Sequence, residues 1–255
     1  MNLGLAARLM TIVPFGLAAC SAPETAPPAP PKPEIHVTAT LTSPVDVVVE
    51  SKGHSPHAAG HIVEFATEPN GTWTTLEYLL PARTRYQHPN VVPETTFYYR
   101  ARDYFGPASS PIEMSMPEPP KGENIDADPH DWAEPKRLPM AAAVETRPIQ
   151  TETAAAAGGA PTDLKGVVKH SKGIHFTWTD RATDEQGYLL EARPDGAPEF
   201  GVVALIDRDM NSFGLITLPH EKRAAFRIRA FYFGPASNVA KATSGPEPVT
   251  PRPTP

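Results

Sequence analysis

The chain has 255 residues and a formal net charge of −6, from 23 Lys and Arg against 29 Asp and Glu. That length allows one to two domains of roughly 100–200 residues, and a mildly acidic chain lacks the basic footprint that binding to nucleic acid requires. Proline fills 32 positions and glycine 17, which suits folded parts joined by Pro-rich segments, while the single cysteine excludes an intrachain disulfide or a multi-cysteine zinc centre.

Residues 1–20 read MNLGLAARLMTIVPFGLAAC. One positive charge, Arg8, precedes an apolar run from Leu9 to Leu17, and small residues then lead to Cys20. This is the three-part layout of a secretory signal, and the run is about half of the ~20 residues a spanning helix needs. Leu17-Ala18-Ala19-Cys20 resembles the lipobox of bacterial lipoproteins. The resemblance implies cleavage before Cys20, a diacylglycerol on its thiol and usually an acyl group on the new amine. One acyl chain is a marginal anchor and two or three a durable one. Ser21, where Asp would retain a lipoprotein at the inner membrane, implies sorting to the outer membrane. The expectation is a lipid-anchored protein of the bacterial cell envelope, with the membrane as one partner. No cofactor is expected besides the covalent lipid on Cys20.

Residues 20–33 form the lipidated cysteine and a stalk with six prolines in residues 21–33. Such a stretch prefers the extended polyproline conformation, and thirteen residues at ~3.1 Å each reach on the order of 40 Å. Block 34–117 follows, with short apolar or alternating runs at 35–41, 45–50, 61–66, 73–80 and 97–102. Segment 118–159 reads as a Pro/Ala-rich linker with a short helix at Met140–Val144, and its Trp132 docks on a neighbouring domain or is exposed. Block 160–245 carries runs at 164–169, 174–179, 188–193, 202–206, 213–218 and 226–233, and 246–255 is a Pro-rich tail. Val, Ile, Thr, Phe and Tyr dominate the runs and none keeps a 3.6-residue period, so both blocks are expected to be all-β sandwiches of short strands.

The blocks repeat each other. Tyr104-Phe105-Gly106-Pro107-Ala108-Ser109 recurs as Tyr232-Phe233-Gly234-Pro235-Ala236-Ser237, and Tyr99-Arg100-Ala101-Arg102 matches Phe226-Arg227-Ile228-Arg229 with one residue skipped. Self-similarity of this kind marks a duplicated module. The stretches Tyr86–Arg102, Trp178–Glu191 and Pro161–Leu164 resemble fibronectin type III domains. The resemblance implies two immunoglobulin-like β-sandwiches, with Trp178 as the strand B tryptophan and Val48 or Val49 in its place in the first block. The family's corner tyrosine falls on Phe97 and near Ala224, so its hydroxyl is absent from both blocks, and the first domain is expected to pack less well.

No catalytic set is evident, and the chain is expected not to be an enzyme. Asp184-Glu185 read as solvated loop acids. The best metal candidates are His54, His57 and His61, since imidazoles at short spacing can hold zinc or copper, with surface histidines as the plainer reading. Asp126, Asp128 and Asp131 loosely resemble a calcium loop but lack its glycine and distal Glu. Tyr104, Phe105, Phe231, Tyr232 and Phe233 precede Gly-Pro in expected turns, where exposed rings could grip a partner or a sugar, with rings that face inward or cover the domain's end as the plainer reading. Arg100, Arg102, Arg227 and Arg229 read as a solvated outer stripe. The leading expectation is a non-enzymatic envelope lipoprotein whose two modules serve protein–protein interaction, adhesion or spacing. The alternative is a carbohydrate-binding accessory holding peptidoglycan or exopolysaccharide on those rings.

Overall fold

The structure is a computed structural model that describes residues 34–122, 124, 129–139, 144–151 and 156–246. Cys20 and the lipobox residues, the Pro-rich stalk and tail, Asp126, Asp128 and all of the expected 140–144 helix except Val144 lie outside the described residues. Fourteen strands are assigned among the described residues, with no helix longer than a 3₁₀ turn. No described helix is long and apolar enough to cross a membrane.

The first half supplies β1 (His36–Ser43), β2 (Asp46–Lys52), β3 (Gly60–Ala66), β4 (Thr74–Leu79), β5 (Arg85–His88), β6 (Thr96–Phe105) and β7 (Ile112–Ser115). The second supplies β8 (Thr162–His170), β9 (Gly173–Thr179), β10 (Gly187–Pro194), β11 (Gly201–Asp207), β12 (Ser212–Ile216), β13 (Arg223–Ala236) and β14 (Ala240–Thr243). Strand β6 shows why these segments extend: Phe97, Tyr99, Ala101 and Asp103 are buried, and the residues between them are not. That alternation lays every second side chain on one face of a pleat.

A three-stranded sheet β1-β2-β5 faces β4-β3-β6 over a core of Val37, Val47, Val49, Val63, Phe97 and Tyr99. The sheet β8-β9-β12 faces β11-β10-β13 over Phe176, Trp178, Tyr188, Leu190, Phe226 and Ile228. Both are all-β sandwiches, as the sequence suggested.

Their last strands depart from a simple tandem. Strand β7 follows β6 in the chain but pairs with β13 of the second sandwich, matching Ile112 to Phe226 and Ser115 to Arg223. Strand β14 follows β13 but pairs with β6 of the first, matching Ala240 to Tyr99 and Thr243 to Thr96. Each sandwich therefore receives its final strand from the other half, and the cores follow: Met116 is buried in the second and Ala242 in the first. The contiguous blocks 34–117 and 160–245 are not the structural units. Between the exchanged strands, β6 and β13 pair antiparallel through Tyr232 with Phe105 and Phe233 with Tyr104, making one continuous eight-stranded sheet.

The repeated hexapeptide is the crossover. Its serines clamp the arriving strands symmetrically. Ser109 N–H donates to Ile228 O at 2.8 Å, and Ser109 Oγ accepts from Ile228 N–H at 3.1 Å. Ser237 repeats this on Ala101, with both bonds at 2.9 Å. Gly106 has φ +121°, and a Cβ there would sit 2.1 Å from Ala230 O, so only glycine makes this turn.

Segment 118–159 is more than a spacer. Its described parts strap the second sandwich. Lys136 N–H donates to Ser212 O, Asn211 N–H returns a bond to Lys136 O, and Gly214 N–H donates to Ala133 O. Trp132 lies where a Cβ on Gly173 or Gly214 would be, 2.5 Å from its ring atoms in each case, so two glycines admit the indole. Ile149 is fully buried in the core, and Asp184 holds its N–H at 2.6 Å.

Candidate functional site

Alternation places Arg100, Arg102, Arg227 and Arg229 on the outer face of the long sheet, yet they are not a solvated stripe. Glu64 on β3, 4% exposed, accepts from Arg100 Nε at 2.7 Å and Arg102 Nη2 at 3.0 Å. Glu191 on β10, 2% exposed, accepts from Arg227 Nε and from Arg229 Nε at 2.8 Å. Rings cover the guanidinium groups: Trp73 over Arg100 at 4.2 Å, Phe233 over Arg102 at 4.1 Å and Phe200 over Arg227 at 4.2 Å. Charge pairing and ring faces thus seal the outside of the sheet.

The turn aromatics follow the plainer reading, and rather than standing exposed they build the joint. Tyr104 and Phe231 are buried with Ile62 and Leu189 in a small core between the sandwiches. Phe105 and Tyr232 stack on each other at 5.5 Å, and Phe233 meets Phe231 edge-on at 5.1 Å. Phe105, Tyr232 and Phe233 are only partly exposed. Next to them a shallow cavity of about 200 Å³ is lined by His57, Phe105, Ile149 and Tyr232.

The histidines divide. His57 is exposed. His54 and His61 come together, with rings stacked 3.9 Å apart, and they meet a residue the sequence reading did not include, Asp103 on β6. His54 Nδ1–H donates to Asp103 Oδ1 at 2.6 Å, and Nε2 meets Ser51 Oγ at 2.7 Å. Ser55 N–H donates to Asp103 Oδ2 at 2.8 Å. His61 is completely buried. Its Nε2–H donates to Arg83 O at 2.8 Å, while its Nδ1 has no hydrogen-bond partner. Burial, reinforced by His54, lowers the His61 pKa to about 4. The ring is therefore neutral at pH 7 with its lone pair on Nδ1, and an unsatisfied buried acceptor costs about 1–3 kcal/mol.

A constant shift of 127 residues carries Asp46 onto Gly173 and Gly60 onto Gly187. By this register Glu64 matches Glu191, and Ser51, rather than Val48 or Val49, matches Trp178. His61 matches Tyr188 and Asp103 matches Ala230. In the second sandwich Trp178 lies tilted against Tyr188 with centroids 5.4 Å apart, while in the first His61 stacks on His54, which bonds Ser51. At these core positions the first sandwich carries Ser51, His61 and Asp103 where the second carries Trp178, Tyr188 and Ala230. Spacing alone could not find Asp103, 42 residues beyond His61, because strand pairing places it opposite His61.

Asp180, Glu185 and Asp209 also converge in the second sandwich. Tyr188 OH donates to Asp180, Asp209 N–H donates to Glu185 Oε1 at 3.2 Å, and burial pushes the Glu185 carboxyl up. Glu185 is buried and Asp184 caps the strap, so neither is a solvated loop acid.

No protein-family model and no curated protein matches the chain. Among solved structures it is similar to the FN1–FN3 domains of chicken CNTN1, at 16% identity over 82% of this chain and 63% of that one, with a TM-score of 0.26. A two-domain fibronectin type III segment from chicken tenascin aligns at 8% identity over 82% of this chain and 97% of its own, with a TM-score of 0.25. An Fn3-like protein from Clostridium thermocellum aligns at 21% identity over 29% of this chain and 77% of its own, also with a TM-score of 0.25. Likeness this loose carries no inference about activity or partner. The all-β, two-sandwich fold stands on the strand topology.

Proposed function

We propose that this chain is a lipid-anchored protein of the bacterial envelope, non-enzymatic, that holds a rigid two-sandwich body off the membrane to engage a protein partner or space envelope components. The observation that carries the anchor is Leu17-Ala18-Ala19-Cys20, with the chain's one cysteine at the modified position. The six prolines of residues 21–33 support the spacing role by their composition. Support for the body's role comes from the exchanged strands, which tie both sandwiches into one sheet and suit it to transmit a fixed spacing. The carbohydrate reading is less favoured, because Phe105 and Tyr232 already use their ring faces on each other.

Cys20→Ala tests the anchor. The variant is expected to leave the membrane fraction or persist as the uncleaved precursor, without the lipid mass. A variant that fractionates like the parent and carries the same added mass contradicts the reading. Pull-down of envelope fragments by residues 21–255 tests the partner: binding abolished by protease treatment of the fragments supports a protein, and binding that survives points to polysaccharide or lipid.

A further inference from the structure

We propose that His54, His61 and Asp103 form a binding site for a divalent first-row transition-metal ion such as zinc. Each residue offers a ligand atom, and the three atoms lie within 4.8 Å of one another. A tetrahedral site with bonds of 2.0–2.1 Å needs ligand atoms about 3.3 Å apart, so the His54–Asp103 pair at 2.6 Å opens slightly to admit the ion while His61 closes on it. Two imidazoles and one carboxylate are a donor set such ions accept.

The second observation is His61 Nδ1, a fully buried imidazole nitrogen with no hydrogen-bond partner. Its other nitrogen is fixed by the Arg83 carbonyl, and the second oxygen of Asp103 by the Ser55 amide. Those outer bonds orient the rings and carboxylate of metal sites. The ion takes the place of the proton on His54 Nδ1, which shifts to Nε2 where Ser51 Oγ accepts it, so the ring ligates as neutral imidazole. His61 adds its lone pair without losing a proton. The register supplies the contrast: the matching positions Tyr188 and Ala230 in the second sandwich contain no such donors, so the polar cluster is not a requirement of the fold.

The test is calorimetric titration of the mature chain, carrying Cys20→Ser so that no thiol competes, with Zn²⁺ in two buffers of different ionisation enthalpy. One equivalent of zinc should bind saturably at pH 7, with the same stoichiometry in both buffers. Asp103→Asn and His54→Gln should each weaken binding at least tenfold, and His57→Gln should leave it unchanged. Co²⁺ added to the unsubstituted site should give tetrahedral visible bands that Zn²⁺ abolishes, a readout independent of whether a variant folds. Absence of saturable binding, absence of those bands, or unchanged affinity in Asp103→Asn overturns the proposal.

Discussion

Glu64 and Glu191 sit on the outer face of the long sheet, where strand alternation assigns solvent, and both are almost wholly covered. A carboxylate with two arginines is stable there only while both guanidinium groups hold it, because breaking a buried pair leaves an uncompensated charge. Glu191→Ala is expected to cost about 3 kcal/mol, the low end of the usual 3–5, since Arg227 is 28% exposed and can swing toward water. Urea denaturation checks this, and a loss below about 1 kcal/mol would mean the pair behaves as a surface bridge. Glu185 poses the opposite problem. It is buried near Asp180 and Asp209, and its carboxyl pKa is raised, chiefly by burial. A raised carboxyl stabilises the fold while protonated, and that stability is lost as pH rises through the folded value. Glu185→Gln keeps the acceptor for the Asp209 amide and removes the charge. It should therefore raise the melting temperature by a few degrees at pH 7, with the gain vanishing near pH 4. An equal gain at both pH values would contradict the burial account.

At the scale of elements, the strands were legible and their partners were not. The runs at 97–102 and 226–233 announce β6 and β13, since alternation is written in each strand's own residues. Nothing in Ile112–Ser115 or Ala240–Thr243 states which sheet it will join, because both sandwiches present nearly the same strand and the same serine-anchored turn to receive it. The segment holding Ile149 was illegible for a different reason. Its prolines and alanines look like linker composition, but one isoleucine and a borrowed carboxylate at Asp184 are enough to tie it down. The outward arginines misled because alternation gives the face and says nothing of what covers it. Of the candidate site, His54 and His61 were visible by spacing, while Asp103 depended on pairing between β3 and β6. Ile149→Ala should cost about 2–5 kcal/mol, on the order of 5–15 °C in melting temperature for a body of this size. A melt unchanged within a degree would mean the strap is peripheral.

For the whole molecule, the central claim is the reciprocal exchange of β7 and β14. The exchange fuses two pseudo-equivalent sandwiches into one sheet and gives neither half a complete strand set of its own. The relative position of the two sandwiches is then set by hydrogen bonds across Phe105, Tyr104, Tyr232 and Phe233 rather than by a flexible joint. The measurement that tests it most directly is a disulfide between positions 96 and 243. Thr96 and Thr243 are in register, with hydroxyls 3.0 Å apart, in strands separated by nearly 150 residues. In residues 21–255, which contain no native cysteine, Thr96→Cys with Thr243→Cys should oxidise to a monomer with one intrachain disulfide and the parent's fold. Free thiols under the same oxidation, or disulfides formed only between molecules, would contradict the exchange within one chain.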